Sequence, residues 1–124
     1  MRLFIFCTAA ATLLLSAGEC KKKDTAAGKL KGKLAVSGIC MNYTIAVIEG
    51  KIDTALVSAS WTDETTNKTY SNVFRLKNTC SFPSTIKEGD EFYFVIDSSG
   101  EKQCAVCLAY YPTPSKAIPI KVVE

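Results

Sequence analysis

The chain has 124 residues, a net charge of +3 and no histidine, and 48% of its residues are hydrophobic. The absence of histidine excludes His-based catalytic triads, His-ligated metal sites and haem attachment through a CxxCH motif. The small charge excess does not indicate nucleic-acid binding. No nucleophile motif and no glycine-rich phosphate loop is present. These features predict a protein that is not an enzyme, uses no cofactor or metal and binds no nucleic acid.

The first 24 residues have the pattern of an export signal that ends at a cysteine. Arg2 supplies the positive start, an apolar run extends to Leu15, and Ser16-Ala17-Gly18 provides small residues shortly before Cys20. The charged sequence Lys21-Lys22-Lys23-Asp24 begins directly after Cys20. The apolar run is too short for a membrane-spanning helix, which needs about 20 apolar residues.

This pattern resembles the signal region of Gram-negative bacterial lipoproteins. The resemblance is confined to this segment and implies that residues 1–19 are removed and that Cys20 becomes the acylated first residue. Ala17 and Glu19 stand where the family pattern has Leu and a small residue. Because Lys21 rather than Asp follows the cysteine, the resemblance implies an anchor in the outer membrane, on its periplasmic or its surface face. The alternative is an ordinary secretory signal that is cut elsewhere, with Cys20 unmodified.

The polar and small residues at positions 20–28 predict a lipidated tether. The length of the remaining chain, residues 29–124, predicts one small domain. Alternation or density of β-forming residues predicts about seven short strands, with a hairpin loop over 63–68 and another over 98–101. The pattern favours an all-β fold, a small antiparallel sandwich or barrel. Pro119 lacks an N–H, which places the last strand at an edge. The predicted strands are residues 30–36, 41–48, 55–62, 70–76, 91–97, 103–110 and 117–123.

The domain contains four cysteines, Cys40, Cys80, Cys104 and Cys107. An even number in a small exported domain predicts two disulfides. The alternative is a thiol redox or metal-handling protein that uses the CxxC formed by Cys104 and Cys107. A strand over 103–110 would place these two cysteines on opposite faces, roughly 10 Å apart, with Cys104 facing the core. Each should therefore pair with Cys40 or Cys80, and both such pairings remain open.

Three aromatic residues are candidates for a ligand-binding face: Trp61, Tyr110 and Tyr111. Their alternative role is packing, because aromatic residues favour strands. Adjacent tyrosines on a strand point to opposite faces, so one of the pair should be exposed. Asp63 and Glu64 lie in the predicted hairpin loop and are expected to be solvated rather than catalytic.

Two threonines, Thr25 and Thr54, lie in Asp-Thr-Ala triplets that resemble an O-glycosylation motif of exported proteins in one group of Gram-negative bacteria. Taken together, these features favour a lipid-anchored binding or structural protein outside the cytoplasm. Its partners would be the membrane, through the anchor, and a protein or saccharide. Inhibitors of wall-degrading enzymes provide a fold-level analogy for such a protein.

Overall fold

The computed structural model of the protein describes residues 28–99, 104–105 and 107–124. The predicted all-β class is confirmed, and three short 3₁₀ turns connect strands: Ile39–Met41, Thr54–Leu56 and Thr79–Ser81. The signal segment, Cys20, Thr25 and the tether up to residue 27 lie outside the described residues. The strands are β1 (Leu30–Gly38), β2 (Asn42–Glu49), β3 (Ser58–Asp63), β4 (Lys68–Leu76), β5 (Glu91–Ile96), β6 (Ala117–Ile118) and β7 (Ile120–Val123).

The strands form one sheet that closes on itself. Its hydrogen-bonded order is β3-β4-β2-β1-β5-β7, and β6 pairs with β4 in parallel. Only Pro119 separates β6 from β7, so the last segment of the chain bonds to β4 and then to β5. The fold is therefore a barrel, with β3 attached outside the ring. The predicted edge position of the last strand is confirmed for β7, which ends the hydrogen-bonded order and pairs with β5. Pro119 itself stands where the chain changes partners, so its missing N–H is not needed.

The interior of the barrel holds the main hydrophobic core. Side chains alternate in and out along each strand, as in β4, where Phe74 and Leu76 are buried and Arg75 is exposed. Phe74 and Phe94 meet inside, with ring centroids 5.8 Å apart. Gly32 makes room for this contact, because a Cβ at this position would lie 2.8 Å from the Phe94 ring.

A second buried layer lies on the outer face of β1, β2 and β4. Thr44 and Val73 are fully buried, although their neighbours Ile45 and Phe74 point into the barrel. Alternation therefore directs Thr44 and Val73 outwards. The segment 107–116 forms hydrogen bonds with Asn42 of β2 and Arg75 of β4, and within it Pro112 and Pro114 are buried. This segment connects β5 to β6 and carries most of the features discussed below.

The predicted strand over 103–110 is wrong for residues 104–105 and 107–110, which form no strand in the structure. The hairpin predicted over 98–101 therefore has no second strand in residues 104–105 and 107–110. Gly100 and Glu101, in the predicted turn, lie outside the described residues. By contrast, the hairpin loop over 63–68 is confirmed, because Asp63 of β3 pairs with Lys68 of β4.

Candidate binding surface

Two disulfides link the C-terminal segment to two different loops of the barrel. Cys40 bonds to Cys107, with their Cα atoms 5.3 Å apart. Cys80 bonds to Cys104, with a Cα separation of 5.6 Å. The prediction that Cys104 and Cys107 do not bond to each other is confirmed, and the structure selects one of the two pairings left open. Disulfides form in oxidising surroundings, so the domain belongs to an extracytoplasmic compartment.

These bonds explain why the residues around the CxxC do not form a strand. Cys104 and Cys107 lie close together in the chain but are bound to separate loops, and this restraint on the two cysteines outweighs the β-propensity of the sequence. Cys104 is exposed rather than facing the core, and Leu108 is 97% exposed. Gln103 and Val106 lie outside the described residues.

Hydrogen bonds hold the chain beyond Cys107 against the turn that contains Cys40. The side-chain amide of Asn42 donates to the carbonyl oxygens of Ile39, at 2.8 Å, and of Ala109, at 3.1 Å. Further along, the backbone N–H of Arg75 donates to the carbonyl of Lys116 at 2.7 Å. The segment is thus fixed at both ends although it has no regular secondary structure.

Tyr111 is the central attachment of this segment. Its hydroxyl donates to Oδ2 of Asp63 at 2.7 Å and lies 2.7 Å from the hydroxyl of Thr65. Its ring covers Gly38, where an added Cβ would come within 2.7 Å of the ring. Glycine at position 38 is therefore required by the close approach of Tyr111.

The expectation that Asp63 is solvated is wrong, because its side chain is fully buried. Besides Tyr111, the backbone N–H and the hydroxyl of Thr65 donate to Oδ1, at 2.9 and 2.7 Å. Burial raises the pKa of Asp63, but the hydrogen bonds from Thr65 and Tyr111 outweigh it and hold the pKa below its ordinary value. Asp63 is therefore an ionised anchor for the segment rather than a proton-transfer group.

Trp61 lies on the β3–β4 hairpin and packs against Tyr70, with centroids 6.0 Å apart and rings tilted by 28°. Both residues are half-buried. Burial and then the charges of Asp63 and Glu88 raise the pKa of Tyr70. Because the two rings are stacked, each covers part of the other, which favours the packing role for Trp61 over ligand binding.

Tyr110 is the candidate that the structure leaves open to solvent, at 83% exposure. Leu108 is 97% and Ile39 is 59% exposed. Ile39 precedes Cys40, Leu108 follows Cys107, and Asn42 joins the backbones of Ile39 and Ala109. We call Ile39, Leu108 and Tyr110 the apolar patch. Sequence alternation could not identify it, because the disulfide that brings its parts together is not a local feature.

Thr54 is exposed in the turn Thr54–Leu56, where Oδ1 of Asp53 accepts a hydrogen bond from the N–H of Ala55 at 2.9 Å. The aspartate of this triplet thus has a structural role in the turn. Thr54 also lines a shallow cleft of about 440 Å³ beside the end of β2. A second cleft of about 380 Å³ lies between the turn at Asn78 and β7.

In the part of the chain that the structure describes, no three Cys, Asp or Glu side chains cluster in a way that could hold a metal ion. None of the helical turns there is long and apolar enough to cross a membrane. Comparisons with protein-family models, with curated proteins and with solved structures find no match to this chain.

Proposed function

We propose that the protein is a lipid-anchored, non-enzymatic binding domain of the outer membrane that presents the apolar patch to a partner protein. The observation that carries this proposal is the exposure of Leu108 and Tyr110 on a backbone that a disulfide and hydrogen bonds hold in place. Clusters of exposed apolar side chains mark interaction sites, and here the Cys40–Cys107 bond and Asn42 bring the backbones that carry these side chains together. A fixed backbone reduces the conformational entropy that binding costs.

A protein partner fits the apolar patch better than a saccharide does. Ile39 and Leu108 are aliphatic and offer no flat face on which a sugar ring can stack, whereas tyrosine and aliphatic side chains together resemble the centre of a protein interface. The half-buried pair of Trp61 and Tyr70 presents less free ring surface.

The position of the apolar patch agrees with an anchor at Cys20. The tether enters at the start of β1, where Lys29 also donates to the backbone of Glu124 at 2.8 Å. Ile39 follows the other end of β1, a strand of nine residues that spans about 26 Å from Leu30 to Gly38 at about 3.3 Å per residue. A lipid at Cys20 would therefore leave the apolar patch pointing away from the membrane and accessible to a partner.

Site-specific photo-crosslinking in intact cells tests the proposal. A photoreactive phenylalanine analogue at Leu108 should give a crosslinked product of higher mass, and the same analogue at exposed Lys51, near the tether end, should not. Tyr110→Ser should weaken the product formed from position 108. Equal products from both positions, or none from position 108, would contradict the assignment of the apolar patch.

A further inference from the structure

Strand β3 lies at one end of the sheet and has a free side. β3 ends the hydrogen-bonded order and pairs with β4 alone. Within residues 28–99, 104–105 and 107–124, no other strand pairs with it, and no loop backbone bonds to Ser58–Thr62. A strand in this position presents a row of backbone N–H and C=O groups that another strand can bind.

The side chains of β3 do not protect this free side. Natural edge strands usually carry a lysine, a proline or a bulge that blocks pairing. The sequence Ser58-Ala59-Ser60-Trp61-Thr62 has no charge and no proline. Its register with β4 does not shift, and the one interruption, at Ala59, comes from the partner strand, where Asn72 has a φ of 53°. Asp63, the charge at the end of β3, is buried in its hydrogen bonds to Tyr111 and Thr65. The described residues Ser58–Asp63 therefore present no exposed charge that would repel an added strand.

We propose that β3 pairs antiparallel with β3 of a second copy of the chain, centred on Ser60. This proposal goes beyond the proposed function and does not depend on the anchor or the apolar patch. In this register Ser58 faces Thr62 of the other copy on one face of the sheet, and Ala59 faces Trp61 on the other. Polar residues meet polar ones, the small Ala59 leaves room for the indole, and no like charges are opposed.

The occupant is a second copy because the sequence of β3 is complementary to itself in that register. A symmetric dimer uses the same surface twice, so each favourable pair occurs twice. The edge also lacks the charge that would select a partner of opposite sign.

Sedimentation velocity on the mature protein, in a density-matched mild detergent, tests the proposal. We expect the dimer fraction to rise with protein concentration. Ser60→Lys places two lysines directly opposite each other and should abolish the dimer. Ser71→Lys is the matched control, because Ser71 is also exposed and pairs with Ser60 inside the hairpin, away from the free side.

Hydrogen exchange of the β3 amides provides a second measurement. Their protection should increase with concentration in the wild type and in Ser71→Lys but not in Ser60→Lys. A monomer at every concentration would overturn the proposal, as would a dimer that persists in Ser60→Lys or is lost in both variants. Protection that appears only when cell extract is added would assign the edge to a different chain and also overturn it.

Discussion

The hydroxyl of Tyr111 donates a 2.7 Å hydrogen bond to the buried carboxylate of Asp63, 48 residues earlier in the chain. This bond joins the segment between β5 and β6 to the tip of the β3–β4 hairpin. It also accounts for the different environments of two neighbouring tyrosines, since Tyr111 is held in the structure while Tyr110 projects into solvent.

Tyr111→Phe should lower the free energy of unfolding by about 1–3 kcal/mol, because it removes a donor from a buried carboxylate. Urea denaturation of the purified domain measures the change. Tyr110→Phe is the matched control and should change stability very little, because its side chain is 83% exposed. Equal effects of the two substitutions would show that the bond to Asp63 does not stabilise the fold.

The stability that Asp63 contributes should be lost in acid. Its folded-state pKa lies below the ordinary 3.8, so the ionised carboxylate stabilises the fold above that value. This contribution disappears as the pH falls from about 4 through the lower folded-state pKa. Urea midpoints of the wild type and of Asp63→Asn, measured from neutral pH downwards, should therefore converge below about pH 4. Two parallel curves would contradict the assigned pKa.

The mature protein should contain no free thiol, and non-reducing peptide mapping should recover Cys40 with Cys107 and Cys80 with Cys104. In the chain-entropy model, closing loops of 67 and 24 residues contributes about 4 and about 3 kcal/mol. Replacing Cys40 and Cys107 together by serine should therefore cost several kcal/mol in urea denaturation. Two reactive thiols at Cys104 and Cys107 would instead support the redox alternative.

Cys20→Ala should leave the precursor unprocessed or move the protein into the soluble fraction, because it removes the residue that would carry the lipid. Membrane fractionation and intact-mass analysis measure both effects. Cys7→Ala is the control, because Cys7 lies within the segment that would be removed. Normal membrane attachment of the Cys20→Ala protein would sink the proposed anchor.

The sequence determined the features that depend on neighbouring residues. Alternation along residues 70–76 predicts Phe74 and Leu76 inside and Arg75 outside, as found, because a strand turns successive side chains to opposite faces. The polar loop over 63–68 predicts its hairpin for the same local reason. The even cysteine count predicts two disulfides and an oxidising compartment without any knowledge of the fold.

Only the tertiary structure decided the features that join distant segments. A strand over 103–110 predicts the absence of a Cys104–Cys107 bond correctly, yet residues 104–105 and 107–110 form no strand. The bonds of Cys104 and Cys107 to Cys80 and Cys40 keep the two cysteines apart instead. The burial of Asp63 depends on Tyr111, which arrives 48 residues later. Barrel closure at Pro119 likewise depends on pairing with β4 and β5. Hydrophobic periodicity describes which face a residue takes, whereas these contacts depend on which segments meet.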